Sequence, residues 1–154
     1  MEDKKKWKRE LSAGGVVYRR TPEGTDILVI QPKKRDSDEG SGKWTFPKGL
    51  VGDGQKESMQ EAALREVREE GGVAAEIKED LGGAKIFFKF GGENIFKTLH
   101  YYLMEYVSGG PEEHDWEVKE ALWVPLAEVK GLLSYRSDKE MLVLAAKIIH
   151  AQNI

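Results

Sequence analysis

The chain contains no cysteine. Disulfides, thiolate metal sites and a cysteine nucleophile are thereby excluded together. Any metal must be held by oxygen or by one of only three histidines, and carboxylate and carbonyl oxygen suits Mg²⁺, Mn²⁺ or Ca²⁺. No run of eighteen apolar residues occurs, so no membrane-spanning helix is expected. The opening MEDKKKWKRE is too polar for a secretory apolar core, and a cytoplasmic protein is expected. Positive charge is not in excess either: 24 Lys and Arg stand against 27 Asp and Glu. A protein that grips nucleic acid usually carries a broad basic surface, so DNA is not an expected partner. The basic residues are dense only locally, at Lys4–Arg9 and Lys33–Arg35, and read as a solvated tail and a loop. No internal repeat or low-complexity segment is present. The 154 residues allow one domain with a proper core, expected over residues 11–154 behind a basic tail of residues 1–10.

What the chain does have is acid, concentrated between Trp44 and Val73. Ser58, followed three residues later by Glu61 and then by Ala62, Ala63 and Leu64, marks a capped helix start. Gly71 and Gly72 supply the stop. Met59, Ala63 and Val67 recur every four residues and form a stripe that can pack inward. Glu66 and Glu70 share that spacing on another face, with Glu69 beside them. Like charges so placed weaken a bare helix, so partners are required. Arg65 can reach Glu69, four residues on, and Glu57 can brace Arg65 from upstream.

The remaining chain reads as strands around this helix. Leu11 onward (SAGGVVYRR) and Asp26–Gln31 are two strands, followed by a charged Gly- and Ser-rich loop. Trp44–Phe46 is a short strand leading into Pro47-Lys48-Gly49. VAAEIKEDLGG and AKIFFKF are strands, with a hairpin at Gly91-Gly92. Ile95–Val107 is the longest strand candidate, with Lys97, Leu99, Tyr101 and Leu103 on one face. An acidic loop, a strand over Glu117–Val124, a short helix after Pro125 and an amphipathic helix from Ser137 complete the chain. The expected class is α/β, a mixed sheet between helical layers.

The segment from Glu57 to Val73 resembles the Nudix box. Glu57, Arg65, Glu66, Val67, Glu69, Glu70, Gly72 and Val73 all match its pattern. The opening glycine departs: its position, six before Glu57, is Val51, and the glycine of the Pro-Lys-Gly turn is Gly49. A loop lengthened by two residues, with Gly52 and Gly54 in it, accounts for the offset. The resemblance implies an α/β/α sandwich and a pyrophosphohydrolase dependent on Mg²⁺, with Mn²⁺ as a substitute. It implies Glu66, Glu69, Glu70 and the Gly49 carbonyl as metal ligands, Glu66 as a base candidate, and Arg65 with Glu57 as an orienting pair.

Family members commonly recruit one more carboxylate from outside the box. Glu117 is the expected one, ahead of Glu112, Glu113 and Glu120. Within the family the closest motifs are those of the diadenosine tetraphosphate hydrolases, which Lys97 to Leu103 and Trp44 to Gly49 resemble. Lys48 and Lys97 are then expected on phosphate and Tyr101 stacked on a base. A small nucleotide is the implied partner, most simply a dinucleoside polyphosphate. Triphosphorylated RNA 5′ ends, nucleoside triphosphates, diphosphoinositol polyphosphates and a non-catalytic nucleotide sensor are the alternatives. A monomer and a homodimer are equally compatible.

Overall fold

The computed structural model describes residues 7–33, 42–52, 54 and 56–152. Six strands form one mixed sheet: β1 (Trp7–Thr21), β2 (Gly24–Pro32), β3 (Lys48–Leu50), β4 (Val73–Phe90), β5 (Glu93–Gly109) and β6 (Val118–Pro125). Their order is β4-β5-β1-β2-β6, with β3 paired to β1 off this path. β1 and β5 run parallel and the other pairs antiparallel. Three helices, α1 (Met59–Gly71), α2 (Leu126–Leu132) and α3 (Arg136–Ala151), supply the outer layers. None of the described helices is long and apolar enough to cross a membrane.

The two-residue period of the strands divides the core. On one face Ala13, Val17, Leu28, Tyr102 and Met104 bury Ala62, Ala63 and Val67 of α1. On the other, Val16, Ile27, Val29, Tyr101 and Leu103 meet Val129 of α2 and Leu142, Ala145 and Ile149 of α3. Neighbours such as Val16 and Val17 thus serve opposite layers. Full burial of each such side chain stabilises the fold by about 2 kcal/mol, which anchors α1 although its outer face is acidic.

Several expectations need correcting. β1 starts at Trp7, inside the supposed tail, because Trp7–Glu10 pair with Asn94–Lys97; residues 1–6 lie outside the described residues, as do Lys34 and Arg35. The two strands expected after Gly72 are one, β4, bent by register shifts near Ala74, Ile77 and Asp80. Trp44–Phe46 is not a strand; Thr45 makes only an isolated bridge to Ile30.

That bridge matters for the site. β1 pairs with β2 only over Tyr18–Thr21, while Ser12–Gly14 pair with β3. The segment Thr45–Leu50 is therefore held between β1 and β2, with Gly15 N–H donating to Pro47 O at 3.1 Å and Ile30 N–H to Thr45 O at 2.8 Å. Gly14 permits this approach, since a Cβ there would lie 2.2 Å from Pro47 O.

Candidate functional site

α1 begins as its sequence dictates. Ser58 Oγ accepts from Glu61 N–H and the Glu61 carboxylate accepts from Ser58 N–H, a reciprocal cap. Gly72 closes the helix in the left-handed conformation at φ 74°. With Ala62, Ala63 and Val67 facing the sheet, Glu66 is carried to the helix edge, where it is only 8% exposed.

Arg65 organises the acidic residues. Its Nη2 and Nε donate to Glu57 Oε1 and Oε2 at 2.6 and 3.0 Å, a bidentate pair that a planar guanidinium favours. Its Nη1 donates to Glu66 Oε2 at 3.0 Å and Glu69 Oε1 at 3.1 Å. Nη2 also reaches Leu50 O at 3.1 Å, and Gly52 N–H donates to Glu57 Oε1 at 3.0 Å. One side chain therefore fastens the lengthened loop after β3 to the acidic face of α1. Gly49 lies tight against that face, since a Cβ on it would fall 2.0 Å from Glu66 Oε2. Only glycine brings the backbone so close.

The carboxylates differ in proton affinity. Hydrogen bonding to Arg65 holds Glu57 below the usual carboxylate range. Burial pushes Glu66 up to about 7, against the attraction of Arg65 and with added repulsion from Glu69 and Glu117. Burial likewise pushes Glu70 up to about 7, although Lys48 N–H donates to its Oε1 at 3.0 Å. Burial lowers the affinity of the Lys48 ammonium for its proton, a shift that Asp138 and Glu70 oppose. Lys48 Nζ donates to Thr45 Oγ1 at 3.0 Å, and Thr45 Oγ1 in turn donates to Asp138 Oδ2 at 2.5 Å. Tyr101 OH donates to Asp138 Oδ1 at 3.0 Å.

A cleft of about 630 Å³ gathers Lys48, Gly49, Arg65, Glu66, Glu69, Glu70, Lys97 and Glu117 on its walls. Glu57 joins them through Arg65. Among the expected site residues Tyr101 stands apart: it is 1% exposed, meets Phe46 edge-on at 5.6 Å between ring centroids and is tied to Asp138. It cannot stack on a base, because α3 covers the strand face on which period two correctly placed it. Glu112, Glu113 and Glu120 do not line the cleft.

Sequence reasoning missed Thr45 and Asp138, 93 residues apart and joined in the fold. It also missed Phe88 and Phe90, which line the cleft; the apolar run IFF before Gly91-Gly92 was the available signal. A side pocket of about 220 Å³ opens beside the cleft and shares Lys48, Phe88 and Lys97 with it, its other walls being Ile86, Leu99, Tyr135, Ser137 and Asp138.

The NUDIX domain profile matches residues 8–145. The chain belongs to the NUDIX family. This Nudix chain is 33% identical over 140 residues to a Mycobacterium tuberculosis relative that carries the name mutator protein MutT4, covering 91% of this chain and 56% of the relative. It is 35% identical over 98 residues to the oxidized purine nucleoside triphosphate hydrolase of Danio rerio, covering 59% of each. It thus spans less than two thirds of either relative's length. Among solved structures, it superposes on the Caenorhabditis elegans Ap4A hydrolase binary complex with a TM-score of 0.68 at 21% identity, covering 92% of this chain and 98% of that one. The NUDIX domain of Shewanella oneidensis NrtR, complexed with ADP ribose, gives a TM-score of 0.69 at 19% identity, covering 92% and 88%. At these identities the two likenesses show the fold.

Among the described residues no three acidic or histidine side chains already stand together as a metal site. The donor chemistry nonetheless fits a hard divalent cation: Glu66, Glu69, Glu70 and Glu117 offer carboxylate oxygen to one cleft, beside the Gly49 backbone. Two carboxylates that desolvation pushes up to about 7, Glu66 buried and Glu70 half-buried, are also groups that a cation would discharge of their protons.

Proposed function

We propose that this chain is a divalent-metal-dependent pyrophosphohydrolase that splits a phosphoric anhydride of a dinucleoside polyphosphate, such as diadenosine tetraphosphate, by water attack on phosphorus. The observation that carries the reading is the gathering of Glu66, Glu69, Glu70 and Glu117 with Lys48 and Lys97 on one cleft, whose walls also carry Glu10, Glu93 and Lys8. Glu66, Glu69, Glu70, Glu117 and the Gly49 carbonyl would hold Mg²⁺ or Mn²⁺. When bound, the cation neutralises phosphate charge and lowers the pKa of a water.

The chain's own residues do the rest. Glu66, buried on the cleft wall and oriented by Arg65, accepts a proton from the attacking water. Arg65, fixed by Glu57, sets the direction of the Glu66 and Glu69 carboxylates. Lys48 and Lys97 meet the phosphates. The side pocket, with its apolar Ile86, Phe88 and Leu99 walls and the Tyr135 ring, takes one planar base.

A second reading is hydrolysis of an oxidised purine nucleoside triphosphate. It is favoured by the name of the Danio rerio relative and by the side pocket, which suffices for a single base. A panel containing diadenosine tetraphosphate, 8-oxo-dGTP, dGTP, ADP-ribose, triphosphorylated RNA and a diphosphoinositol polyphosphate, assayed with Mg²⁺, decides between them. The expected outcome is the highest kcat/KM on diadenosine tetraphosphate, with one labelled product from ¹⁸O water. Preference for 8-oxo-dGTP would replace the first reading by the second, and binding without turnover of any compound would make the chain a nucleotide sensor.

A further inference from the structure

We propose that the open face of the β4–β5 hairpin, Phe88 and above all Phe90, is a stacking wall for the second nucleobase of a dinucleoside polyphosphate. The inference rests on the substrate class proposed above and adds residues that no sequence motif marked.

The hairpin is aromatic on both faces, but the two faces are treated differently. On the back, Phe87 is 64% exposed but is held by other rings, meeting Trp7 edge-on at 5.7 Å and Phe96 at 4.6 Å between centroids. Arg9 completes that cluster, 5.3 Å from the centre of the Phe96 ring. On the front, the period of two places Phe88 and Phe90 together, opposite Ile95 and Glu93 of β5. Among the described residues neither ring has an aromatic or cationic partner, and Phe90 is 67% exposed. Adjacent exposed phenylalanines on one side of a strand leave apolar surface in water, which marks a binding surface more often than an accident.

What they face identifies the occupant. Both rings line the cleft that holds Glu66 and Glu70, so a group stacked on them shares one cavity with the acidic helix. Phe88 also belongs to the side pocket, whereas Phe90, toward the hairpin turn, lines the cleft alone. Lys8 stands on the same wall, in register with Ile95 beside Phe88, but it lies 3.8 Å from Glu10, and Glu10 and Glu93 line the cleft with it, so this end of the cleft offers the rings and not a net positive charge. A flat aromatic group satisfies the rings, while the polyphosphate joined to it finds its cations at Lys48 and Lys97 of the same cleft. With one base in the side pocket and the phosphates at the acidic helix, Phe90 receives the base at the other end.

The test is steady-state kinetics of the full chain with Mg²⁺ on diadenosine tetraphosphate and on 8-oxo-dGTP. Aromatic stacking on a base is lost on truncation, so Phe90→Ala should raise KM for diadenosine tetraphosphate about ten-fold. Its kcat should hold, and KM for 8-oxo-dGTP, which has no second base, should not move. Phe90→Trp should restore the low KM, and Phe88→Ala should raise KM for both compounds. An unmoved KM for diadenosine tetraphosphate in Phe90→Ala, while the wild type still cleaves it, overturns the stacking wall alone. An equal rise for both compounds also overturns it, since the change would then be structural. Failure of the wild type to cleave diadenosine tetraphosphate removes the substrate reading and the wall together.

Discussion

Glu57 and Glu66 touch the same guanidinium and yet hold their protons oppositely. Glu57 accepts two hydrogen bonds from the Arg65 fork and a third from Gly52 N–H, and stays ionised to unusually low pH. Glu66 shares one nitrogen of that fork with Glu69, lies buried among like charges, and is pushed up to about 7. The pair teaches that surroundings, the fork for one and burial for the other, separate a carboxylate held ionised from one pushed toward its protonated form. Glu57 spends its charge on holding the loop. Glu66 and Glu70 keep theirs in conflict with their surroundings, a conflict that a bound cation would relieve.

The largest test of this contrast is Glu66→Gln. Hydrolysis should fall by about 10³-fold, while the melting temperature near pH 8 stays level or rises because a buried charge is gone. A large loss of stability instead would make Glu66 a structural partner like Glu57. Next, Arg65→Lys keeps the charge but not the fork. Loss of the bidentate bonds to Glu57 should lower unfolding free energy by about 2 kcal/mol in urea titrations, together with activity; unchanged stability would show that the loop does not depend on the fork.

The third test is stability against pH without metal. The folded chain keeps protons on Glu66 and Glu70 up to about 7, whereas unfolded glutamates release theirs near 4.5. Between those values the unfolded state binds fewer protons, so stability should fall as pH rises through the window. Glu57 has the opposite sign at lower pH: its stabilisation is present above 4.5 and is lost as pH falls through its depressed value. Melting scans from about pH 5 to pH 8 should show the decline, and Mg²⁺ should raise the melting temperature more at the upper end. A flat profile would erase the contrast between the two carboxylates. The smallest effect expected is from Glu117→Gln. Glu117 repels Glu66, so without metal its removal should slightly flatten the decline of stability with rising pH, and with metal the lost carboxylate should lower kcat about ten-fold; Glu113→Gln should leave both unchanged.

The features visible in the sequence are those encoded over short distances. The Ser58–Glu61 cap, the Arg65–Glu57 and Arg65–Glu69 pairs and the inward face of α1 all follow from spacing along one helix and the turn before it. The seat of Tyr101 did not follow. Alternation assigned it to the right face of β5, but whether that face meets solvent depends on α3, which arrives from the far end of the chain. Trp44–Phe46 misled for a similar reason: the backbone hydrogen bonds of this region are divided between Ile30 of β2, which pairs with Thr45, and Gly15 of β1, which donates to Pro47 O, and β1 takes Lys48–Leu50 as its partner.

From the order of residues alone came the acidic helix, its ends, its cation-compatible face and the α/β class, because helix periodicity and capping act within a few residues. Only the folded chain decided that Gly14 and Gly49 let the Pro47-Lys48-Gly49 segment close on Glu66. It alone brought Asp138 beneath Lys48, buried Tyr101 and left Phe88 and Phe90 open on the wall of the acidic cleft. Those outcomes depend on which surfaces long-range packing covers, and no local pattern carries that information.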